Sequence, residues 1–168
     1  MRRTPAAVFS AVFFAAAPGT AAVLVPWLIS RWEVRDPLPA WLMLPVRVAG
    51  VLLVLAGLAV LVDAFVRFVV EGLGTPLPAA PPERLVIGGL YRHVRNPMYV
   101  GVFAAVIGQA MLFGDPWLLA YFAGLTIPVW SFVHWYEEPT LRAKFGADYD
   151  QYRARVPGWW PRLHPYRP

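Results

Sequence analysis

The sequence predicts an all-α integral membrane protein of about four transmembrane helices. Three observations carry this. The chain is 58% hydrophobic and 15% charged, whereas soluble domains are roughly half apolar and a quarter charged. Its apolar residues fall in runs that approach the ~20 residues a helix needs to cross a bilayer. Its basic residues gather on connections that would share one membrane side, the bias that sets orientation. A length of 168 residues suits a single membrane domain over 1–168. Helices are expected near 6–29, 41–70, 98–113 and 117–136, with a polar connection over 71–97 and a tail over 137–168.

Arg2 and Arg3 precede the first apolar run, Ala6 to Ile29. A secretory signal opens the same way, and Ala15-Ala16-Ala17 imitates its cleavage site. The run is longer than a signal core and carries Trp27 near its end, so a retained helix is expected. Pro18-Gly19 and Pro26 should kink it, which lipid tolerates when neighbouring helices re-satisfy the freed backbone groups.

The second run extends from Trp41 to Val70, with no charge between Val48 and Val62. Asp63 and Arg67 are four apart and share a helix face. They either pair at the membrane boundary, or Asp63 faces a cavity. In the connection, Gly72, Gly74, Pro76, Pro78, Pro81 and Pro82 exclude a continuous helix through its first half. A loop of this length is usually functional. Gly72-x-Gly74 lacks the third glycine and the βαβ context of a dinucleotide fingerprint. Gly88-Gly89 reads as a turn.

Met98 to Phe113 is short for a full span, so it tilts or lies partly in the interface. The pairs Gly101/Ala105 and Ala104/Gly108 allow close helix approach in lipid. Gln109 reads as a helix–helix hydrogen bond. Gly114-Asp115-Pro116 turns the chain into the fourth helix, Trp117 to Tyr136, with Pro128 as a kink. In the tail, Leu141, Phe145, Tyr149 and Tyr152 recur at helical spacing, which predicts an amphipathic helix on the membrane surface.

Four crossings would put the amino terminus, the 71–96 connection and the tail on one side. Of the 15 Lys and Arg residues, Arg31, Arg35 and Arg47 alone fall on the other. Both termini are therefore expected in the cytoplasm, in an inner or plasma membrane. The net charge of +5 sits beside apolar runs, so the expected anionic partners are membrane lipids and not nucleic acid. The chain has no cysteine, hence no thiolate nucleophile. No His–carboxylate cluster has metal spacing, so no metal is expected, and no serine has a base and orienter near it.

Polar chemistry concentrates in two patches that are expected to meet at one membrane face. The first is Gly89-Leu90-Tyr91-Arg92-His93-Val94-Arg95-Asn96-Pro97-Met98-Tyr99-Val100-Gly101. The second is Glu137-Glu138, Leu141, Phe145-Gly146, Tyr149, Tyr152, Val156-Pro157 and Pro161-Arg162. In order and spacing they resemble the two signatures of the isoprenylcysteine carboxyl methyltransferase family, which related membrane phospholipid N-methyltransferases share. Gly74-Thr75-Pro76 and Pro81-Pro82 resemble the loop of bacterial members. The likeness covers roughly the second half of the chain. Leu90 stands where proline is common, and Asn96 where histidine is.

The resemblance implies S-adenosylmethionine as cofactor, bound without a Rossmann fold at the cytoplasmic membrane face, and a lipid-like or prenylated acceptor. By position it implies cofactor contacts from Leu85, Val86, Tyr91, Asn96, Pro97, Met98, Tyr99 and Glu137. Residue chemistry is compatible with several of these. Tyr91 and Tyr99 can pack on a flat or cationic group. Asn96 offers a donor and an acceptor, and Glu137 an acceptor. Arg95 can pair with a carboxylate or a lipid phosphate. Pro97 can open the third helix at its first turn.

Prenylcysteine-specific members carry an arginine about one turn before the glutamates. Here Phe132-Val133-His134-Trp135 makes His134 the nearest basic group, and carboxylate and amine acceptors both stay open. A carboxylate needs no base, whereas an amine must lose a proton, with His134 or Glu138 to assist. His134, Glu138 and Arg95 are thus the candidate catalytic groups.

Blander readings stand beside these. Arg92, His93 and Arg95 can be snorkelling interface cations. Glu137-Glu138 can be solvated at a helix end, although the dipole there disfavours acids. The chain can also be a non-catalytic membrane subunit that keeps the fold. A nicotinamide-dependent membrane reductase finds no phosphate cradle in the sequence.

Overall fold

A computed structural model describes residues 16–72 and 84–167. Among these residues the secondary structure is helical, without strands. Five helices organise it: α1 (Ala16–Ser30), α2 (Ala40–Gly72), α3 (Pro97–Phe113), α4 (Pro116–Phe145) and α5 (Ala147–Arg155). A 3-10 turn covers Gly89–Arg92. The start of the first apolar run, and Gly74-Thr75-Pro76 with Pro81-Pro82, lie outside the described residues.

Two stretches are long and apolar enough to cross a membrane, Ala40–Arg67 and Pro116–Phe145. The apolar helices Ala16–Ser30 and Pro97–Phe113 are shorter. Val48, Val51, Leu52, Leu55, Leu58 and Val62 of α2 stay exposed. A row of this kind marks a lipid-facing or partner-facing surface. Polar groups gather at the two ends of the bundle. At one end Arg47 reaches Asp36 at 2.8 Å and Arg35 reaches Asp115 at 3.3 Å. Asp63 and Arg67 stand at the other, about 24 Å further along α2 at 1.5 Å per residue.

α2 and α3 touch backbone to backbone. A Cβ on Gly57 would lie 2.7 Å from the Gly101 carbonyl, and one on Gly50 would lie 2.7 Å from the Gly108 carbonyl. The small residues expected on α3 are matched by a second glycine pair on α2, also seven apart. The bundle core behind this seam joins Ala22, Val102, Ala105 and Val106.

Two prolines are absorbed by the same device. In α1 a π-turn spans Thr20–Leu24, and the Val25 N–H reaches back five residues to the Thr20 carbonyl. Pro26 follows and has no N–H to donate. Two carbonyls near the kink accept from neighbouring helices instead. Gln109 Nε2 donates to Ala22 at 2.7 Å, and the Tyr121 hydroxyl donates to Ala21 at 3.0 Å. Gln109 is the interhelical bond expected of it.

The second π-turn spans Val133–Glu137, and Glu138 N–H bonds the Val133 carbonyl just before Pro139. It carries α4 past Tyr136, where the sequence placed its end, to Phe145. Glu137 and Glu138 therefore stand within a helix, and no adverse dipole acts on them. The helix ends at Gly146, whose φ of +53° breaks the chain into α5.

One more expectation is corrected here. The apolar stripe of the tail faces protein. Tyr149, Tyr152, Val156 and Tyr166 are buried together, with Leu85, Ile87, Leu141 and Phe145 packed against them. Residues 85–87 carry no helix, and their side chains alternate in direction. Leu85 and Ile87 meet the tail, while Val86 joins Ala64, Tyr91 and Met98 beside α2.

Candidate functional site

The site is assembled on α2. Asp63 and Arg67 pair at 3.8 Å, the first of the two readings their spacing left open, and Asp63 Oδ2 also accepts the Leu90 N–H at 3.3 Å. The turn they hold requires glycine at 89. Its φ is +53°, and a Cβ there would lie 2.8 Å from Arg67 Nε. The turn leads into Tyr91, which is buried, and burial pushes its phenol up from its ordinary range. The Tyr152 hydroxyl donates to the Tyr91 carbonyl at 2.7 Å. Burial also pushes the Tyr152 phenol up, so it stays protonated and able to donate.

Beyond Tyr91 the chain runs along the tail. Tyr166 N–H bonds the Arg92 carbonyl, Arg162 N–H the His93 carbonyl, Arg95 N–H the Pro157 carbonyl, and Asn96 N–H the Gly158 carbonyl, at 2.9–3.3 Å. Residues 157–166 thus form a strap laid against 92–96. Asn96 is the N-cap residue of α3 and Pro97 its first residue, yet the Asn96 side chain makes no capping bond. Its Nδ2 is buried with no hydrogen-bond partner among the described residues.

The two polar patches do meet. Tyr99 donates its hydroxyl to Glu137 Oε2 at 3.2 Å. Arg95 Nη1 donates to Glu138 Oε1, Arg95 Nε donates to the Val156 carbonyl at 2.9 Å, and Arg153 lies 3.1 Å from the other Glu138 oxygen. Trp159 of the strap packs near Tyr99, with ring centres 6.3 Å apart, and stacks on Phe103 at 6.1 Å. Phe103 in turn meets Phe122 edge-on at 5.4 Å.

The candidate residues thus fall into three groups. Tyr91, Asn96, Pro97, Tyr99 and Glu137 lie where the 91–99 segment meets α4 and the strap. Leu85, Val86 and Met98 serve the two apolar clusters around them. Arg95 and Glu138 engage each other. His134 stands apart: it is exposed and stacks on Trp130 at 4.9 Å, with no hydrogen bond to the Tyr99–Glu137 pair among the described residues. Trp159, Gly158 and Arg153 were missed by sequence reasoning. Gly158-Trp159, directly after Val156-Pro157, was the available signal for the first two.

This arrangement holds one unsatisfied buried donor, one carboxylate and several aromatic faces at the polar boundary of an apolar helix. Such a set can bind a flat ligand with polar edges. Among the described residues no group of three or more His, Asp or Glu side chains stands ready to hold a metal.

A family model described as phospholipid methyltransferase matches residues 45–148, from α2 to the start of α5. Among curated proteins, the chain is similar to the protein-S-isoprenylcysteine O-methyltransferase of Schizosaccharomyces pombe. The two are 38% identical over 82 residues, which is 47% of this chain and 34% of that protein. The match therefore spans about a third of the relative's length. No solved structure matches the chain.

Proposed function

The chain belongs to the phospholipid methyltransferase family, and on that premise we propose that it is an integral-membrane, S-adenosylmethionine-dependent methyltransferase acting on a lipid-like acceptor. The observation that carries the cofactor is the buried Asn96 Nδ2 without a partner. A buried donor left unmade costs free energy, and a ligand's polar edge would satisfy it. S-adenosylmethionine offers an adenine plane, a ribose and an amino-acid end, and supplies a methyl group carried on a sulfonium. Asn96 would donate to a polar edge of it. Glu137 would accept from the ribose or the ammonium end. Tyr91, Tyr99 and Trp159 would give faces to the ring or the cation.

The chain's own contribution is alignment in a site with little water. Arg95 and Glu138 satisfy one another, so their role in this reading is to hold α4 against the 95–96 backbone. A carboxylate acceptor would need no base, and the Schizosaccharomyces pombe relative is by its name an O-methyltransferase. A second reading, an ethanolamine head-group acceptor, is favoured by Phe132-Val133-His134-Trp135, which has no arginine to hold a substrate carboxylate.

Calorimetry of the detergent-solubilised protein with S-adenosylmethionine and its demethylated product tests the proposal. Saturable heat is expected for both. Folded protein giving neither heat nor a thermal shift at millimolar ligand would point to the non-catalytic subunit.

The orientation belongs to the same reading: four crossings, with both termini and the site on the cytoplasmic side, supported by the basic bias. Reporter fusions after Arg167 and in the Arg31–Pro39 loop should give opposite answers. A carboxyl-terminal reporter active outside the cytoplasm would overturn it.

A further inference from the structure

The strap has two faces. Inward, Trp159 stacks on Phe103 and Tyr166 is buried. Outward, Trp160 is 83% and Leu163 91% exposed, above every other exposed large hydrophobic residue described. Sequence spacing assigns the surface-anchoring role to Leu141, Phe145, Tyr149 and Tyr152. Those residues face protein, and the outward apolar tip lies further along the chain.

The tip is set in positive charge. No acidic residue follows Asp150. Among the described residues no carboxylate pairs with Arg155, Arg162 or Arg167. Arg155 lies over the Tyr166 ring at 5.9 Å, and Arg162 Nη1 donates to the Arg155 carbonyl at 2.7 Å. The strap's level is also fixed. It is bonded to 92–96, directly before the apolar α3 begins at Pro97.

We propose that the strap is seated in an anionic lipid leaflet, with Trp160 and Leu163 in the interface and Arg155, Arg162 and Arg167 at lipid phosphates. An exposed tryptophan beside arginines matches the composition of the membrane–water boundary. Arginine stems can lie along acyl chains while the guanidinium stays at the phosphate. Basic residues beside a membrane segment are drawn to anionic head groups. This surface contact does not depend on the methyl-transfer reading.

The chain has no cysteine, so Leu163→Cys accepts a single nitroxide label. The site's exposure means that no packing is lost. The labelled full chain is reconstituted in vesicles of phosphatidylcholine alone, and of phosphatidylcholine mixed with phosphatidylglycerol. Collision of the label with oxygen, which concentrates in the bilayer, is compared with collision with a water-soluble nickel chelate.

A label at 163 should favour oxygen and move deeper when phosphatidylglycerol is present. The deepening should vanish at 1 M salt, where the screening length falls to about 3 Å. A label at Trp160→Cys should behave alike, and one at the exposed Gln151→Cys should lie shallower. Chelate access at 163 equal to that at 151 in both vesicles would overturn the proposal. Equal depth in both vesicle types would overturn the anionic partner. Spin–spin broadening at 163 would assign the tip to a second copy of the chain, and would overturn it as well.

Discussion

Arg95 Nη1 lies 2.5 Å from Glu138 Oε1, joining residues 43 apart in the chain. Both side chains are largely buried, at 14% and 13% exposure. Removing one partner of a buried pair costs about 3–5 kcal/mol. Arg153 still faces Glu138, so Arg95→Met should fall in the lower half of that range. The exposed Arg142–Asp150 pair is worth about 0–1 kcal/mol at most. Thermal unfolding in detergent should show a large drop for Arg95→Met and almost none for Arg142→Met. Equal shifts would mean that the 95–138 pair is not structural.

Gly57→Ala should be disruptive, because its new Cβ would meet the Gly101 carbonyl at 2.7 Å and the Ala105 N–H at 2.9 Å. Backbone cannot move aside as a flexible side chain can, and overpacking of this kind costs about 1–3 kcal/mol or more. Gly124→Ala meets nothing within 4 Å. It should stabilise slightly, by up to about 1 kcal/mol of helix propensity. Parallel melting curves of the two variants check the contrast. A neutral Gly57→Ala would show that the helices do not approach as described.

Gln109→Leu removes the donor that satisfies Ala22 beside the Pro26 kink. Interhelical hydrogen bonds in membrane proteins are worth about 0.6–2 kcal/mol, and the loss should fall there. Gln109→Leu combined with Pro26→Ala should recover part of it, because the second substitution restores a backbone donor that proline lacks. Without recovery in the double variant, the bond would have no link to the proline.

Glu137→Gln keeps the size of the side chain and removes its charge. Loss of a charge-assisted hydrogen bond is worth about 1.5–3 kcal/mol, so cofactor affinity should fall about ten- to a hundredfold or more. Titration calorimetry reads this directly, and unchanged affinity would take Glu137 out of the site. His134→Ala separates three roles. Lower turnover with intact cofactor binding marks a base, a weaker acceptor KM marks a carboxylate clamp, and no change marks an outer-surface histidine. The exposed stack on Trp130 makes the last outcome the expected one.

Much of the architecture was legible because lipid restricts the choices. A freed carbonyl in hydrocarbon must find a donor, and Gln109 was the evident polar side chain in its apolar helix. Small residues four apart on α3 announced a close seam, although Gly50 and Gly57 escaped notice within an unbroken apolar run. The Asp63–Arg67 pair was one of the two readings that helical spacing left open.

The end of α4 was misplaced for a physical reason. Glu137-Glu138-Pro139 looks like a helix stop, and nothing in local composition says that a π-turn will absorb the proline. The inward turn of Tyr149 and Tyr152 was equally hidden. An amphipathic stripe reads the same whether lipid or protein covers it, and the cover here is Leu85 and Ile87, far away in sequence. Trp159 joined the site through the strap, a tertiary arrangement with no periodic signature.

The strap sets an order of assembly. Arg95 and Val156 are 61 positions apart, and His93 and Arg162 are 69 apart. Contacts between such distant residues form late, because loop closure costs entropy before they are made. The Gly57–Gly101 contact of α2 and α3 closes a shorter loop, although length alone separates the two by only about 0.3 kcal/mol. The strap also needs α3 and α4 in place before it has a surface to close over. Warming should reverse this sequence, since surface segments open below the global transition. Ligand binding should then disappear at a lower temperature than the far-ultraviolet helix signal, and coincident loss would contradict the order. In that order a helical, binding-incompetent form would lie between native and unfolded. Proteolytic turnover would then be governed by how often the tail reopens, while the helices beneath it stay in place.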